Sequence, residues 1–271
     1  MHSNTAIIIQ ARMGSKRLPG KVLKIIKNHP MLFYLLKRIN FSNIKNIHIA
    51  TSTNSENDKI IEYIENNFKE IKLFRGDEND VFSRFHQIAN EFNYSKIIRI
   101  TADCPLIDFR IIDYMNNIFE NEKKLDYLAN TVPYHTSTYP DGMDVEIFSL
   151  NAINKANELN LNQNEKENVT HCFIKKDFNF YFKQIEYKSN LNKYKLSVDS
   201  QTDFNLISRI ITNFVHDKIE ASMEEIIEYM NKKMSENEKR AVLFFKNSNN
   251  VKLPFRANEI VLKDKKFITI Y

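Results

Sequence analysis

The residues best suited to chemistry lie near the start of the chain, in the stretch IIIQARMGSKRLPGKVL at residues 7–23. This stretch holds two arginines, two lysines and two of the four glycines in 271 residues.

 The four cations are Arg12, Lys16, Arg17 and Lys21, which makes two arginines and two lysines. Backbone N–H groups of a tight loop can cradle phosphate oxygens, and nearby cations neutralise their charge. The glycine spacing matches neither the P-loop nor the dinucleotide-binding fingerprint. The pattern predicts a polyphosphate site of another kind, with a solvated basic turn as the alternative.

Two aspartates follow predicted strands that are far apart in the chain. Asp103 lies in RITADCPLID and Asp199 lies in KLSVDSQTDF, where in each case a strand gives way to a loop or a helix. Mg²⁺ commonly takes one or two protein carboxylates and completes its shell with substrate phosphates. We therefore expect both carboxylates to converge on one ion, although each aspartate taken alone is more typical of a helix cap or a turn.

A second group of acidic residues follows in YPDGMDVEIF. Asp144 and Glu146 are two residues apart and would share one face of a strand, with Asp141 just before them. They are candidates for further metal ligands or for contacts to an acceptor molecule, and exposed strand carboxylates are the alternative. Glu167 and His171 are four residues apart and would share a helix face, but this pair lacks the further ligands of a zinc site.

The first half of the chain alternates strands and helices. Such alternation predicts a mostly parallel sheet covered by helices on both faces, with a ligand outside the carboxyl ends of the strands. The unusual residues fall at those ends, in QARMGSKR, TSTN, RGDEND and TADCP. The predicted strands are 6–11, 46–53, 71–76 and 96–108, the last running into a loop, and the predicted helices are 31–39, 56–68 and 80–92.

The second half is less regular. A polar, tyrosine-rich loop at 133–142 separates two predicted strands and is of the kind that shapes a substrate pocket. The tail 240–271 alternates apolar and polar residues around a DKK turn, which predicts a small β appendage. The predicted strands here are 126–132, 143–149, 180–187 and 193–200, and the predicted helices are 150–159, 164–176, 201–214 and 223–234.

The composition narrows the class of protein. The chain has 39 basic and 34 acidic side chains, a mild net charge of +5 that permits an anionic ligand but does not indicate nucleic acid. Cys104 and Cys172 lack the spacing of a metal site or of a disulfide framework. Apolar runs stay short of the roughly 18 residues that a membrane span needs, and the N-terminus lacks the basic region of a signal peptide. We therefore expect a cytoplasmic protein without membrane insertion.

Six motifs occur in an order that resembles a known family. They are IIQARMGSKRLPGKVL, GDENDVFSRF, RITADCPLID, YPDGMDVEIFS, ENVTHCFIKK and LSVDSQTDFNLI. Together they are similar to the cytidylyltransferases of the spore coat polysaccharide biosynthesis F type. These are relatives of the enzymes that activate 3-deoxy-manno-octulosonic, sialic and legionaminic acids as CMP-sugars. The similarity covers about residues 5–235, and the tail matches nothing in the family.

The resemblance implies the three-layer α/β/α fold of the nucleotide-diphospho-sugar transferases, which is GT-A-like. It implies a nucleotidyltransferase domain at 1–238, with a nucleotide-binding half at about 1–125 and an acceptor-binding half at about 126–238. The β appendage would follow at 239–271. Because relatives are often dimers, a homodimer is expected.

The resemblance also implies which residues bind CTP and Mg²⁺. The cation would be held by Asp103 and Asp199, and Arg12, Lys21 and Asp103 would be catalytic. The implied nucleotide contacts are Ala11, Arg12, Met13, Gly14, Ser15, Arg17, Lys21, Ser52, Arg75, Gly76, Asp80, Thr101 and Ala102.

Transfer of CMP to an acceptor oxygen, with pyrophosphate leaving, is the reaction that the resemblance implies. The acceptor would be small and anionic, either a sugar acid or a phosphate or phosphonate, for surface polysaccharide biosynthesis. One alternative is a GT-A-type glycosyltransferase, which commonly carries a D-x-D metal motif where this chain has TADC. Another is a non-catalytic nucleotide-binding subunit. The candidate acceptor contacts are Tyr139, Asp141, Asp144, Glu146, Glu167 and His171.

Overall fold

The computed structural model describes residues 4–234, so the predicted appendage at 239–271 lies outside the described residues. Its strands are, in chain order, β1 (Thr5–Gln10), β2 (Ile25–Ile26), β3 (His29–Pro30), β4 (Asn46–Ser52), β5 (Lys72–Gly76), β6 (Lys96–Thr101), β7 (Tyr127–Ala129), β8 (Glu146–Ser149) and β9 (Phe182–Gln184). Its α-helices are α1 (Met31–Ile39), α2 (Asp58–Asn67), α3 (Val81–Glu91), α4 (Phe109–Asn121), α5 (Leu150–Asn157), α6 (Gln163–Asn168), α7 (Gln201–Ile210) and α8 (Met223–Lys233). No helix within 4–234 has both the length and the apolar character needed to cross a bilayer.

A seven-stranded sheet forms the middle layer, in the order β5-β4-β1-β6-β8-β7-β9. β8 runs antiparallel to both of its neighbours, and the other pairs are parallel. β2 and β3 form a separate antiparallel hairpin. The mostly parallel sheet predicted from the sequence is confirmed.

The side chains of β1 point alternately into two hydrophobic cores, because successive residues of a strand face opposite ways. Ile7 and Ile9 join the core that includes α1, α2, α4, α7 and α8, whereas Ile8 joins the core that includes α3 and α5. All three isoleucines are fully buried. A continuous apolar strand is what a sheet covered on both faces needs, and the predicted three-layer fold is confirmed.

Helix α4 was not predicted from the sequence, although its local signals are present. β6 ends at Thr101, and the side chain of Asp108 caps the new helix by accepting from the N–H of Arg110 at 2.9 Å. The buried residues of α4 recur at helical spacing and are Ile111, Ile112, Met115 and Phe119.

The helix predicted at 164–176 is broken after its first turns. α6 ends at Asn168, because Val169 takes a φ of 54° and the N–H of Thr170 donates to the carbonyl oxygen of Asn168 at 2.5 Å. A positive φ is uncommon for a β-branched residue. Two 3₁₀ turns follow in place of the rest of the helix.

The segment predicted as a strand at 193–200 packs against the loop before β8. Within the described chain it makes one isolated bridge, between Asp141 and Lys195. Gly142 has a φ of 98°, and a Cβ at this position would lie 2.4 Å from the carbonyl carbon of Leu196. Glycine alone tolerates both conditions, so Gly142 allows the two segments to approach.

One buried arginine on α1 holds the loop that follows β6. The guanidinium of Arg38 has no exposed surface and donates to the carbonyl oxygens of Leu106 and Ile107, at 3.1 and 2.9 Å. It also donates to the carbonyl oxygens of Ile219 and Ala221, which precede α8, at 2.6 and 2.8 Å. Arg38 therefore joins α1 to two loops.

Replacing Arg38 with leucine should lower the free energy of unfolding by at least about 3 kcal/mol, because four carbonyl groups, three of them in buried contacts, lose their donor. Lys37, its exposed neighbour on the same helix, is the matched control, and Lys37→Leu should cost less than about 1 kcal/mol. Urea denaturation followed by circular dichroism measures both variants. Equal losses would contradict this role of the buried guanidinium.

Candidate active site

The loop after β1 folds back on itself through its own backbone. The carbonyl oxygen of Met13 accepts from the N–H groups of Ser15 and Gly20, at 2.8 and 2.9 Å. Gly20 has a φ of 68°, in the left-handed region that glycine adopts readily. A 3₁₀ turn begins at Lys21. The N–H of Met13 donates to Oδ1 of Asn57 at 2.8 Å, which ties the loop to the segment after β4.

A cavity opens at the carboxyl ends of β1 and β6, where the sheet topology predicts a ligand. Four cationic side chains line it, and they are Arg12, Lys16, Arg17 and Lys21. Its three carboxylates are Asp103, Glu167 and Asp199. The remaining lining residues are Gln10, Ser15, Val22, Thr101 and Ala102.

Lys21 joins the charged groups of this cavity. Its Nζ lies 2.8 Å from Oδ2 of Asp103 and 3.5 Å from Oδ1 of Asp199, and it donates to the carbonyl oxygen of Val198 at 2.6 Å. The N–H of Val198 in turn donates to the carbonyl oxygen of Asp103 at 2.8 Å. The structure thus brings Asp103 and Asp199 together on one ammonium group.

The two aspartates offer hard oxygen donors of the kind that Mg²⁺ takes. Burial by itself would raise the pKa of Asp103, but the charge of Lys21 and the hydrogen bonds from Lys21 and Thr101 together outweigh burial, so this pKa lies below its ordinary value. Within residues 4–234, no group of three acidic, histidine or cysteine residues could hold a metal alone. The residues present fit an ion whose shell is completed by phosphate oxygens. The roles of Asp103 and Asp199 as metal ligands stay a prediction.

Arg12 is held between two glutamates. Its Nη1 lies 3.0 Å from Oε1 of Glu78, and its Nη2 lies 3.3 Å from Oε1 of Glu167. Glu167 was predicted as an acceptor contact, and the structure places it beside the cations of the first loop. Glu78 was not singled out, although it lies in RGDEND between two residues that were.

Two of the predicted nucleotide contacts, Ser52 and Arg75, do not line the cavity but stabilise the loops around it. Ser52 is fully buried, and its hydroxyl accepts from Nδ2 of Asn57 at 2.7 Å. Arg75 pairs with Asp58 at 2.8 Å and donates to the carbonyl oxygen of Ser52 at 3.1 Å. Both residues therefore support the segment on which the first loop rests.

Gly76 and Asp80 also have structural partners. A Cβ at Gly76 would lie 2.8 Å from Cγ of Arg84, so this glycine lets the arginine pack closely. The side chain of Asp80 accepts from the N–H of Ser83 at 2.8 Å and caps α3. Their contacts to a nucleotide stay predictions.

Three residues line the cavity without having been predicted, and they are Gln10, Lys16 and Val22. Gln10 and Val22 are uncharged, so their types gave no signal of phosphate chemistry, whereas Lys16 belongs to the basic stretch. Three predicted contacts, Ala11, Met13 and Gly14, belong to the same loop but lie outside the lining.

Asp144 lies close to Asp103. The thiol of Cys104 contacts both carboxylates, at 3.8 Å from Oδ2 of Asp144 and 3.7 Å from Oδ1 of Asp103. Asp144 accepts from Oγ1 of Thr131 and from the N–H of Gly142, each at 2.6 Å. Asp144, a candidate contact of the acceptor molecule, is therefore held in a defined position next to Asp103.

Asp141 and Asp144 form a pair whose ionisation is unfavourable. Burial, reinforced by the charge of Asp144, raises the pKa of Asp141 to about 7, against the opposing charge of Lys195. Burial also raises the pKa of Asp144. A carboxyl that is protonated near neutral pH can donate a hydrogen bond as well as accept one.

The interpretation of Glu146 as an open acceptor contact is corrected by the structure. Its carboxylate is buried in an ion pair with Arg99, which lies opposite it where β6 pairs with β8. It also accepts from the hydroxyl groups of Tyr127 and Thr170, each at 2.6 Å. Asp144 precedes the strand, so the two carboxylates do not share an open strand face.

Tyr139 and His171 are likewise buried, with 4% of each residue exposed. Tyr139 packs against Tyr187, with ring centroids 5.3 Å apart. The predicted pairing of His171 with Glu167 on one helix face is wrong, because α6 ends between them.

Comparison with known proteins shows related sequences along most of the chain. The sequence model of a family described as Cytidylyltransferase matches residues 6–259. The chain is 28% identical to the spore coat polysaccharide biosynthesis protein SpsF of Bacillus subtilis, over 83% of this chain and 93% of that protein.

Solved structures share the fold. A cytidylyltransferase from Leptospira borgpetersenii has a TM-score of 0.80 at 30% identity, and the match covers 89% of this chain and 98% of that one. A CMP:2-keto-3-deoxy-manno-octonic acid synthetase complexed with CTP has a TM-score of 0.57 at 15% identity, over 78% of this chain and 99% of that one. The second likeness concerns the fold alone.

Asp141 should make stability depend on pH. Because its folded pKa is raised from 3.8 to about 7, its stabilising contribution is complete below about pH 4 and is lost as the pH rises through about 7. Asp141→Asn resembles the protonated form and does not ionise. Relative to wild type, the variant should therefore gain roughly 2 kcal/mol in free energy of unfolding between pH 5 and pH 8. Urea denaturation in metal-free buffer at both pH values measures this, and a constant difference would contradict it.

Proposed function

This chain belongs to the cytidylyltransferase family, which makes it a nucleotidyltransferase, and we propose that it transfers CMP from CTP to a small anionic acceptor with release of pyrophosphate. The observation that carries this proposal is the contact of Lys21 with both Asp103 and Asp199 in a cavity lined by three further cations. Such a cavity offers positive charge for a triphosphate next to the donors for Mg²⁺.

The reaction requires positioning and charge stabilisation more than covalent chemistry. An acceptor oxygen would attack the α-phosphorus of CTP, and the bond from that phosphorus to the bridging oxygen would break as pyrophosphate leaves. Arg12, Arg17 and Lys21 line the cavity and would neutralise the phosphate oxygens. Mg²⁺, held by Asp103 and Asp199, would add positive charge there and lower the pKa of an acceptor hydroxyl.

The acceptor would bind beside Asp103, on the side of Asp141 and Asp144. Carboxyl groups accept hydrogen bonds from hydroxyl groups, which suits a sugar acid. A phosphate or phosphonate acceptor also fits the proposal, because an oxygen that is already ionised needs no base. The name of the Bacillus subtilis relative supports a role in making a surface polysaccharide. A cytoplasmic homodimer is part of the same proposal.

Asp103→Asn should lower kcat/KM by about a hundredfold or more, because the variant loses the charge that faces Lys21 and the proposed metal. Pyrophosphate release from CTP and Mg²⁺ with a working acceptor measures the effect. Circular dichroism should show an unchanged fold.

The matched control is Asp217→Asn, a change of the same chemistry at a side chain that is 78% exposed. It should retain wild-type activity. Near-normal turnover by Asp103→Asn would contradict the proposed role of this carboxylate.

A screen of sugar acids, sugar phosphates, phosphonates and phospho-amino acids with CTP and Mg²⁺ should identify the acceptor by pyrophosphate release. UTP, GTP and ATP in place of CTP should give much less product. A glycosyltransferase would release no pyrophosphate and would consume a nucleotide sugar. A non-catalytic subunit would bind CTP without turnover against any acceptor.

A further inference from the structure

Lys21 donates two hydrogen bonds inside the cavity, to Asp103 and to the carbonyl oxygen of Val198, and forms an ion pair with Asp199. An ammonium group has three N–H donors, and three acceptors surround this one: Oδ2 of Asp103, Oδ1 of Asp199 and the carbonyl oxygen of Val198. Only 11% of the Lys21 side chain is exposed. Lys21 therefore stands at the point where the two carboxylates would share a cation.

Asp199 has two further cationic partners. Nη2 of Arg17 lies 2.8 Å from its Oδ1, and Nζ of Lys195 lies 3.3 Å from its Oδ2. Counted together with Lys21, three cations face the carboxylates of Asp103 and Asp199. Lys195 also pairs with Asp203, at 2.7 Å, so Lys21 is the cation that stands between the two carboxylates. A divalent ion that enters there meets the charge of Lys21 and finds the nearest carboxylate oxygens engaged.

A bound triphosphate would compete for the cations that face Asp103 and Asp199. Lys21 and Arg17 line the same cavity as Arg12 and Lys16, so phosphate oxygens placed there compete with Asp103 and Asp199 for these cations. Lysine is suited to the exchange, because its long flexible side chain moves the charge while the backbone stays fixed in its 3₁₀ turn.

We propose that Lys21 closes the cation position between Asp103 and Asp199 until a triphosphate draws its ammonium group away, so that the divalent metal binds with the nucleotide or after it. The nucleotide step rests on the proposed function. The exclusion of metal by Lys21 rests on the geometry of the nucleotide-free protein, and it can be tested with metal alone.

The test uses Mn²⁺ as the only ligand, with bound Mn²⁺ measured by electron paramagnetic resonance. Lys21→Met removes the competing charge and should bind Mn²⁺ at least about tenfold more tightly than wild type. Lys21→Gln keeps a hydrogen-bond donor and serves as the second neutral variant, with the same expected gain. Mn²⁺ alone should raise the melting temperature of both variants and leave that of wild type unchanged.

Two control variants separate this effect from a general loss of positive charge. Lys21→Arg keeps the cation and should bind Mn²⁺ as weakly as wild type. Lys16→Met removes a charge from the lining of the same cavity but not from the position between Asp103 and Asp199, and should also match wild type. Equal Mn²⁺ affinity of wild type and both neutral variants would overturn the inference, as would tight Mn²⁺ binding by nucleotide-free wild type.

The two proposals fail separately. CTP with Mn²⁺ should raise the melting temperature of wild type, and no shift at millimolar CTP would count against the proposed function. The comparison of variants with Mn²⁺ alone contains no nucleotide, so it decides the role of Lys21 in either case.

Discussion

The candidate site depends on one poorly exposed ammonium group that joins distant parts of the chain. Lys21 and Val198 are 177 residues apart, yet the side chain of the first reaches the carbonyl oxygen of the second and two carboxylates. A charge withdrawn from water must find partners of this kind. The contacts of Lys21 therefore fix the relative positions of three segments: the loop after β1, the loop after β6 and the segment before α7.

Residues outside the cavity hold these three segments in position. Arg38 donates hydrogen bonds to the loop after β6, and Asn57 accepts one from the N–H of Met13 in the first loop. Gly142 leaves room for the segment before α7 to pack closely. Transition-state stabilisation in group transfer relies on charges that are in place before the reaction. Residues outside the cavity thus contribute by positioning the charged loops.

The two sides of the site differ in electrostatic character. The side formed by the first loop carries four cations, as a polyphosphate requires. Asp141 and Asp144 lie outside the lining of the cavity, with Asp144 close to Asp103, and burial raises the pKa of both carboxyl groups. In the proposed reaction, hydroxyl groups of the acceptor would meet these carboxyl groups, and its anionic group would be drawn towards the cations.

The family, the four parallel strands of the first half and the basic loop follow from local sequence patterns, because their residues lie close together in the chain, whereas the short hairpin of β2 and β3 was not predicted. The apolar run at residues 7–9 is an example, and it forms the buried strand that was expected. Which acidic residues face the cavity depends instead on tertiary contacts. Glu146 lies buried opposite Arg99 because β8 inserts antiparallel beside β6, whereas Glu78 reaches Arg12 from another loop. Ion pairing and burial depend on neighbours that are distant in sequence, and no local pattern encodes them.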